Sequence, residues 1–325
     1  MKKAIRIVLW IIGLVAVIIF GIVGYIAGRG VPSYETQKLP DYHVDVTPAR
    51  IERGAKIAQL LCIQCHRGEG AQLTGKLIAD APKDFGQIYS ANITQDKEAG
   101  IGTWTDGELA FFLRTGIQRD GSYNPLMPKF PNMADEDLKS VIAWLHSDRI
   151  EVQPSKEEAP KTEYNFLIKA LTNTVMKPYP YPQKAITIPD STDRVAFGRY
   201  IANGMVGCYA CHSADFKALN DIEPEKSLGF YGGGNPMLNL EGKLVPSANI
   251  TFDDETGIGK KYTEEQFIKV VKQGARPDGS VTRYPMVPHI TLTDYEVGSI
   301  YQYLRTIPKI RNKVVDPETG VIAQK

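Results

Sequence analysis

The chain has 325 residues, with 38 basic and 37 acidic side chains and a formal net charge of +1. That balance, and the lack of any basic run that could track a phosphate backbone, exclude a nucleic-acid-binding protein. The length leaves room for two or three domains, and four cysteines leave disulfides, a metal site or cofactor attachment to be decided by spacing.

The N-terminus predicts a membrane-spanning helix. Lys2, Lys3 and Arg6 precede an uncharged stretch from Ile7 to Gly28. At 1.5 Å rise per residue this is about 33 Å of helix, enough for a hydrocarbon core of about 30 Å. Trp10 and Tyr25 stand near its two ends, as interfacial aromatics do. A cleavable signal peptide is the alternative, but its apolar region is usually about 7–15 residues with a small-x-small end, which GYIAGRG matches poorly. We read an uncleaved anchor whose basic flank stays in the cytoplasm and whose remaining chain is exported. The polar stretch from Ser33 to Val46 reads as a tether, so neither downstream core is expected to depend on the anchor.

Residues 62–66 read CIQCH and residues 208–212 read CYACH, and together they use every cysteine in the chain. C-x-x-C-H is the attachment signature of c-type haem. Two thiols about one helical turn apart can add across the two vinyl groups on one porphyrin edge. The histidine that follows then lies under the ring and can ligate iron. Cys62, Cys65, Cys208 and Cys211 are therefore predicted to bind two covalent c-type haems, with His66 and His212 as proximal ligands. A thioredoxin-like site lacks its βαβ context, a zinc ribbon needs far closer cysteine pairs, and disulfides across three residues would be strained.

The motifs belong to an internal repeat. SANITQD (90–96) recurs as SANITFD (247–253), Gly100-Ile101-Gly102 as Gly257-Ile258-Gly259, and Asp120-Gly121-Ser122 as Asp278-Gly279-Ser280. The second copy carries a longer loop around Gly232-Gly233-Gly234. Thr105-x-x-Glu108, Thr263-x-x-Gln266 and Thr293-x-x-Glu296 are capping boxes that predict helix starts. Leu138, Val141, Ile142 and Leu145, and in the second copy Val297, Ile300, Tyr301 and Leu304, predict one-faced final helices. No strand pattern stands out. The linker between the copies holds Pro154, Pro160, Pro178, Pro180, Pro182 and Pro189, which favour extended chain. Within it Phe166, Leu167, Ala170, Leu171 and Val175 line a short helix, expected to brace the interface between the copies; contact with a membrane surface is the alternative.

The repeat also selects the second axial ligands. Met127 and Met286 align, each eleven residues before the equivalent final-helix residue, Leu138 or Val297, and each in a proline-containing loop. Methionine is usually packing, but recurrence in both copies favours ligation, with Met133 as the other candidate for the first site. His43, His146 and His289 do not occupy matching positions and read as surface or structural. Trp104, with Lys261 as its counterpart, is a candidate contact for haem propionates, packing being the alternative.

On these residues the chain resembles the class I cytochromes c, and in particular the membrane-anchored dihaem members and the cytochrome c subunits of membrane-bound dehydrogenases. Those subunits carry three haem domains; this chain has two motifs. The resemblance implies an all-α protein with two tandem class I cytochrome c domains after a single transmembrane helix: anchor 1–30, tether 31–47, first domain 48–150, linker 151–190, second domain 191–310 and tail 311–325. It implies an electron-transfer protein with no catalytic residues, in the bacterial inner membrane with its haem domains in the periplasm. Redox partners would be a dehydrogenase or quinol-oxidising complex upstream and an oxidase or soluble cytochrome downstream. A cytochrome subunit of a dehydrogenase and a dihaem cytochrome c peroxidase are the alternatives.

Overall fold

The computed structural model describes residues 2–37, 39 and 41–315. Met1, Lys38 and Pro40 lie outside the described residues, as does the expected C-terminal tail from 316 onward. Helix α1 (Lys2–Arg29) is exposed along nearly its whole length, and among its described side chains Ile26 alone is buried. It is long and apolar enough to cross a membrane, and an 18-residue stretch of it has a mean hydropathy of 3.0.

The first half is built on α2 (Pro48–Leu61), the short α3 (Ile63–His66), α4 (Asp106–Thr115) and α5 (Asp135–Leu145). Thr47 caps α2 and Pro48 fills its first turn, where a missing N–H costs nothing. The Thr105/Glu108 box opens α4, and Gly116 closes it in the left-handed region at φ 81°. The second half repeats the plan. Helix α7 (Arg194–Arg199) widens into a π turn at Tyr200–Met205, followed by α8 (Cys208–His212), α9 (Glu264–Gln273) and α10 (Asp294–Leu304). Both expected boxes form, Thr263/Gln266 on α9 and Thr293/Glu296 on α10.

In each half the helix before the haem motif crosses the final helix at a glycine. A Cβ on Gly54 would stand 2.0 Å from the Ser140 carbonyl oxygen, and one on Gly198 would stand 1.9 Å from that of Ser299. The final-helix residues predicted to face inward do so: Leu138, Ile142, Val297 and Leu304 are at most 1% exposed.

The fold is helical but not free of strands. Strand β1 (Gly86–Gln87) pairs antiparallel with β2 (Glu163–Tyr164), and β3 (Pro236–Leu238) with β4 (Leu244–Pro246). Two or three residues are too few for an alternating pattern to register. The second ladder fills the longer loop of the second copy.

The linker departs from expectation in its helix. Helix α6 (Phe166–Thr174) turns Ile168 and Thr172 inward, while Phe166, Leu167 and Val175 are 43%, 41% and 72% exposed. It lies against the end of α1, where Asn173 Nδ2 donates to the Gly30 carbonyl at 2.8 Å. Bracing between the halves falls instead to Tyr179. Its N–H reaches the Thr115 carbonyl at 3.3 Å, and its hydroxyl donates to Asp221. The tether is also docked. Ser33 bridges Ser122, the Tyr34 N–H donates to the Gly121 carbonyl at 2.8 Å, and the Tyr34 and Tyr123 rings meet edge-on at 5.7 Å.

Candidate haem-attachment sites

The repeated SANIT…GIG block exists to hold one carbonyl beneath each motif histidine. Asn92 Oδ1 accepts from the Thr94 N–H at 2.8 Å, and Asn249 Oδ1 from the Thr251 N–H at 3.0 Å, so each asparagine closes its own turn. The same two amides donate onward, Asn92 to the Ser155 carbonyl at 2.8 Å and Asn249 to the Ile310 carbonyl at 2.7 Å, pinning each turn to chain beyond the final helix. The first glycine of each GIG lies directly on this turn. A Cβ on Gly100 would be 2.3 Å from the Thr94 carbonyl oxygen, and one on Gly257 would be 2.1 Å from that of Thr251.

The carbonyls so placed belong to Ala91 and Ala248. His66 Nδ1 donates to Ala91 O at 2.7 Å and His212 Nδ1 to Ala248 O at 2.8 Å. Because the partner is an acceptor, the proton sits on Nδ1 and the lone pair on Nε2, the arrangement that orients an imidazole for metal ligation. Burial holds both histidines below their ordinary 6.5, against the upward pull of those carbonyls, which keeps them neutral as a ligand must be.

The cysteines are free thiols. Protein atoms crowd Cys62 and Cys208 enough to push each thiol up to about 12, yet both keep intermediate exposure. Neither is sealed in the core. Two thiols one turn apart, with an oriented neutral imidazole beside them, fit covalent haem. Among the described residues no three His, Cys, Asp or Glu side chains gather as they would around a bare metal ion.

The structure sorts the methionines. Met133 is 1% exposed in the core, and Leu292, at the same place in the second half, is also 1% exposed. Met127 and Met286 are only half buried, in loops that start alike: Asn124 N–H donates to Gly116 O at 2.9 Å, and Thr282 N–H to Gly274 O at 2.8 Å. His43 is exposed, and His146 Nε2 pairs with Asp106 at 2.9 Å, tying α5 to α4. His289 lies in the Met286 loop, and its imidazole adds to the burial that holds His212 low. The counterpart of Trp104 is Tyr262, not Lys261: each stands directly before its capping threonine and packs on the core. One extra residue between GIG and the cap in the second copy shifts the register. Trp104 itself packs on Phe112 at 5.7 Å under the Arg119 guanidinium.

Each methionine loop also leans on the other half. Tyr284 donates to Asp80 at 2.5 Å, and Asn132 Nδ2 to the Asp221 carbonyl at 2.6 Å. Asp221 in turn accepts from Tyr209 at 2.6 Å, inside the CYACH run.

Residues 51–148 match the family model described as cytochrome c. This chain carries a cytochrome c domain. Such a domain holds covalent haem c. The chain is 30% identical over 294 residues to the cytochrome c subunit of the quinone-dependent alcohol dehydrogenase of Gluconacetobacter polyoxogenes, covering 85% of this chain and 60% of that protein. It is 28% identical over 305 residues to the fructose dehydrogenase cytochrome subunit of Gluconobacter japonicus, covering 87% and 57%. It is 26% identical over 261 residues to a diheme cytochrome c-type protein of Cereibacter sphaeroides, covering 77% and 82%. The chain thus spans about 60% of the length of the alcohol dehydrogenase subunit. It resembles the cytochrome c subunits of dehydrogenases and a dihaem cytochrome c, as its motifs implied.

Proposed function

We propose that this chain is a dihaem c-type cytochrome, held by α1 in the bacterial inner membrane, that passes single electrons on the periplasmic side. The observation that carries this reading is the duplicated His66–Ala91 and His212–Ala248 pairing, which presents one free imidazole Nε2 beside each cysteine pair. The first haem is held by Cys62, Cys65, His66 and Met127, in a domain spanning 48–150. The second is held by Cys208, Cys211, His212 and Met286, in a domain spanning 191–310. These two all-α-type units are tandem class I cytochrome c domains, joined by the 151–190 linker. Bound haem would supply one-electron redox chemistry, with His66 and Met127, and His212 and Met286, as the side chains that would hold each iron.

The names of the relatives favour a more specific setting, in which this chain is the electron-accepting cytochrome subunit of a membrane-bound dehydrogenase. Electrons then leave towards an oxidase or a soluble cytochrome. Two measurements test the proposal. A pyridine haemochrome assay against protein mass gives two haems per chain that stay with the denatured polypeptide. Mild-detergent purification from native membranes brings down a dehydrogenase catalytic subunit. One haem per chain overturns the dihaem reading, and purification as an isolated cytochrome overturns the subunit reading alone. Carbon monoxide binding by the unmodified protein would move the chain to the peroxidase class.

A further inference from the structure

We propose that α6 lies in the headgroup layer of the bilayer that α1 crosses, with Phe166 and Leu167 inserted among the lipids. The inference rests on reading α1 as an anchor and adds a second, interfacial attachment to it.

Position comes first. Helix α6 abuts the outer end of α1, where Asn173 Nδ2 holds the Gly30 carbonyl at 2.8 Å and Ile26 is the buried residue of the anchor. A helix fixed to the last turn of a membrane span sits at the level where hydrocarbon gives way to headgroups. Direction comes next. Ile168 and Thr172 mark the side of α6 that faces protein, both at 0% exposure. At 100° per residue, Phe166, Leu167 and Ala170 fall on the opposite side, and Phe166 and Leu167 are 43% and 41% exposed there. Large apolar side chains grouped on a short helix beside a membrane span need a cover, and the bilayer is already in reach.

Charge agrees with that cover. Arg29 ends α1, Lys169 lies on α6, and Lys177 follows it, its Nζ capping the Thr172 carbonyl at 2.9 Å. Lys83 lies in the turn whose backbone receives Asn165. Against these four bases stand Asp84 and Glu163, so the rim is net basic, as anionic headgroups favour. The tether, docked through Ser33–Ser122 and Tyr34–Gly121, keeps the first half from swinging away from the anchor. Two attachments together set the tilt of the haem domains above the membrane.

The test uses the full chain reconstituted into vesicles of phosphatidylethanolamine and phosphatidylglycerol that contain a lipid with a diazirine near the headgroup. After photolysis, lipid adducts are mapped by mass spectrometry. The expected result is labelling of the 163–177 peptide and of the α1 peptide, with the 236–246 hairpin unlabelled. Replacing Phe166 and Leu167 together by glutamate, at exposed positions that leave the core alone, should reduce adducts on 163–177 severalfold and leave those on α1 unchanged. Labelled α1 with 163–177 no higher than the hairpin overturns the inference and spares the anchor. Unlabelled α1 overturns both. Labelling of 163–177 that survives the glutamates, or its crosslinking to another protein chain in place of lipid, also overturns it.

Discussion

Asp137 and Glu296 occupy the same turn of equivalent helices, and each is held by a side chain from the opposite half of the molecule. Lys56 on α2 reaches Glu296 at 2.6 and 2.5 Å, and Tyr200, its counterpart two residues after the crossing glycine, donates to Asp137 at 2.5 Å. Arg53 sits between them, with two 2.8 Å bonds to Asp137 and one of 3.4 Å to Glu296. The two halves therefore meet about a pseudo-two-fold axis, using the same positions in both directions. The methionine loops also reach the opposite halves, Tyr284 to the Asp80 carboxylate and Asn132 to the Asp221 carbonyl, but from positions that do not match.

The two arms of this junction are not equal in strength. Lys56→Met leaves the Glu296 carboxylate, 5% exposed, with the Thr293 capping bonds at 2.7 and 3.1 Å but no basic partner nearer than the long Arg53 contact. Breaking a buried pair from one side costs about 3–5 kcal/mol, and the remaining Arg53 points to the lower end. Tyr200→Phe removes one bond to a charge that Arg53 still grips bidentately, a loss of about 1.5–3 kcal/mol, together with the hydroxyl that accepts the Ala134 N–H at 3.1 Å. Denaturant melts of both variants should rank Lys56→Met as the less stable; the reverse order would mean that the Tyr200–Asp137 arm carries the interface.

Acid should act on the Lys56 arm. Burial raises the Glu296 pKa, but the Lys56 ammonium and the Thr293 backbone N–H outweigh it, and the net value lies below the ordinary 4.5. A carboxylate depressed in the folded state contributes stability that is complete above its unfolded value and lost as pH falls through the folded one. The stability gap between wild type and Lys56→Met should thus be constant at neutral pH and close below about pH 4.5. Melts repeated across that window read the gap, and a gap indifferent to acid would detach it from Glu296.

Helix crossing gives a second matched pair. Gly54→Ala and Gly198→Ala each drive a methyl against a final-helix carbonyl, Ser140 or Ser299. Overpacking of this kind costs about 1–3 kcal/mol, and here the obstacle is backbone, which yields poorly. Both variants should lower the thermal midpoint by similar amounts. A neutral outcome at one site would show that its half can open the crossing without loss.

Much of this was legible in the chain. The capping boxes, the final-helix faces and the SANIT…GIG repeat signal through local chemistry, so Thr105, Thr263 and Thr293 stand where their spacing put them. What escaped was relational. Lys56 and Tyr200 differ in type, so nothing in either copy announces that they do the same work across an interface. The apolar stripe of α6 promises burial, but periodicity cannot name the covering surface, and Phe166 and Leu167 stand exposed while Ala170 and Leu171 are partly buried. Trp104 aligns with Lys261 by sequence because a one-residue shift hides between two well-aligned blocks.

The axial ligands are the last and most consequential test. A thioether bonded to low-spin ferric haem gives a weak far-red charge-transfer band, a property of the ligand pair in this family. Met127→Ala and Met286→Ala should each remove about half of it, lower the potential of one haem and open one iron to carbon monoxide, since thioether ligation raises the potential. Met133→Ala should leave the band intact while costing about 2–5 kcal/mol in stability, because its side chain is 1% exposed in the core. His289→Phe, which installs the residue type found at Phe130 in the first loop, should also leave the band intact. If His289→Phe opened an iron while Met286→Ala did not, the second haem would be bis-histidine. The proximity of His289 to His212 would then be ligation rather than the neighbourhood of a loop.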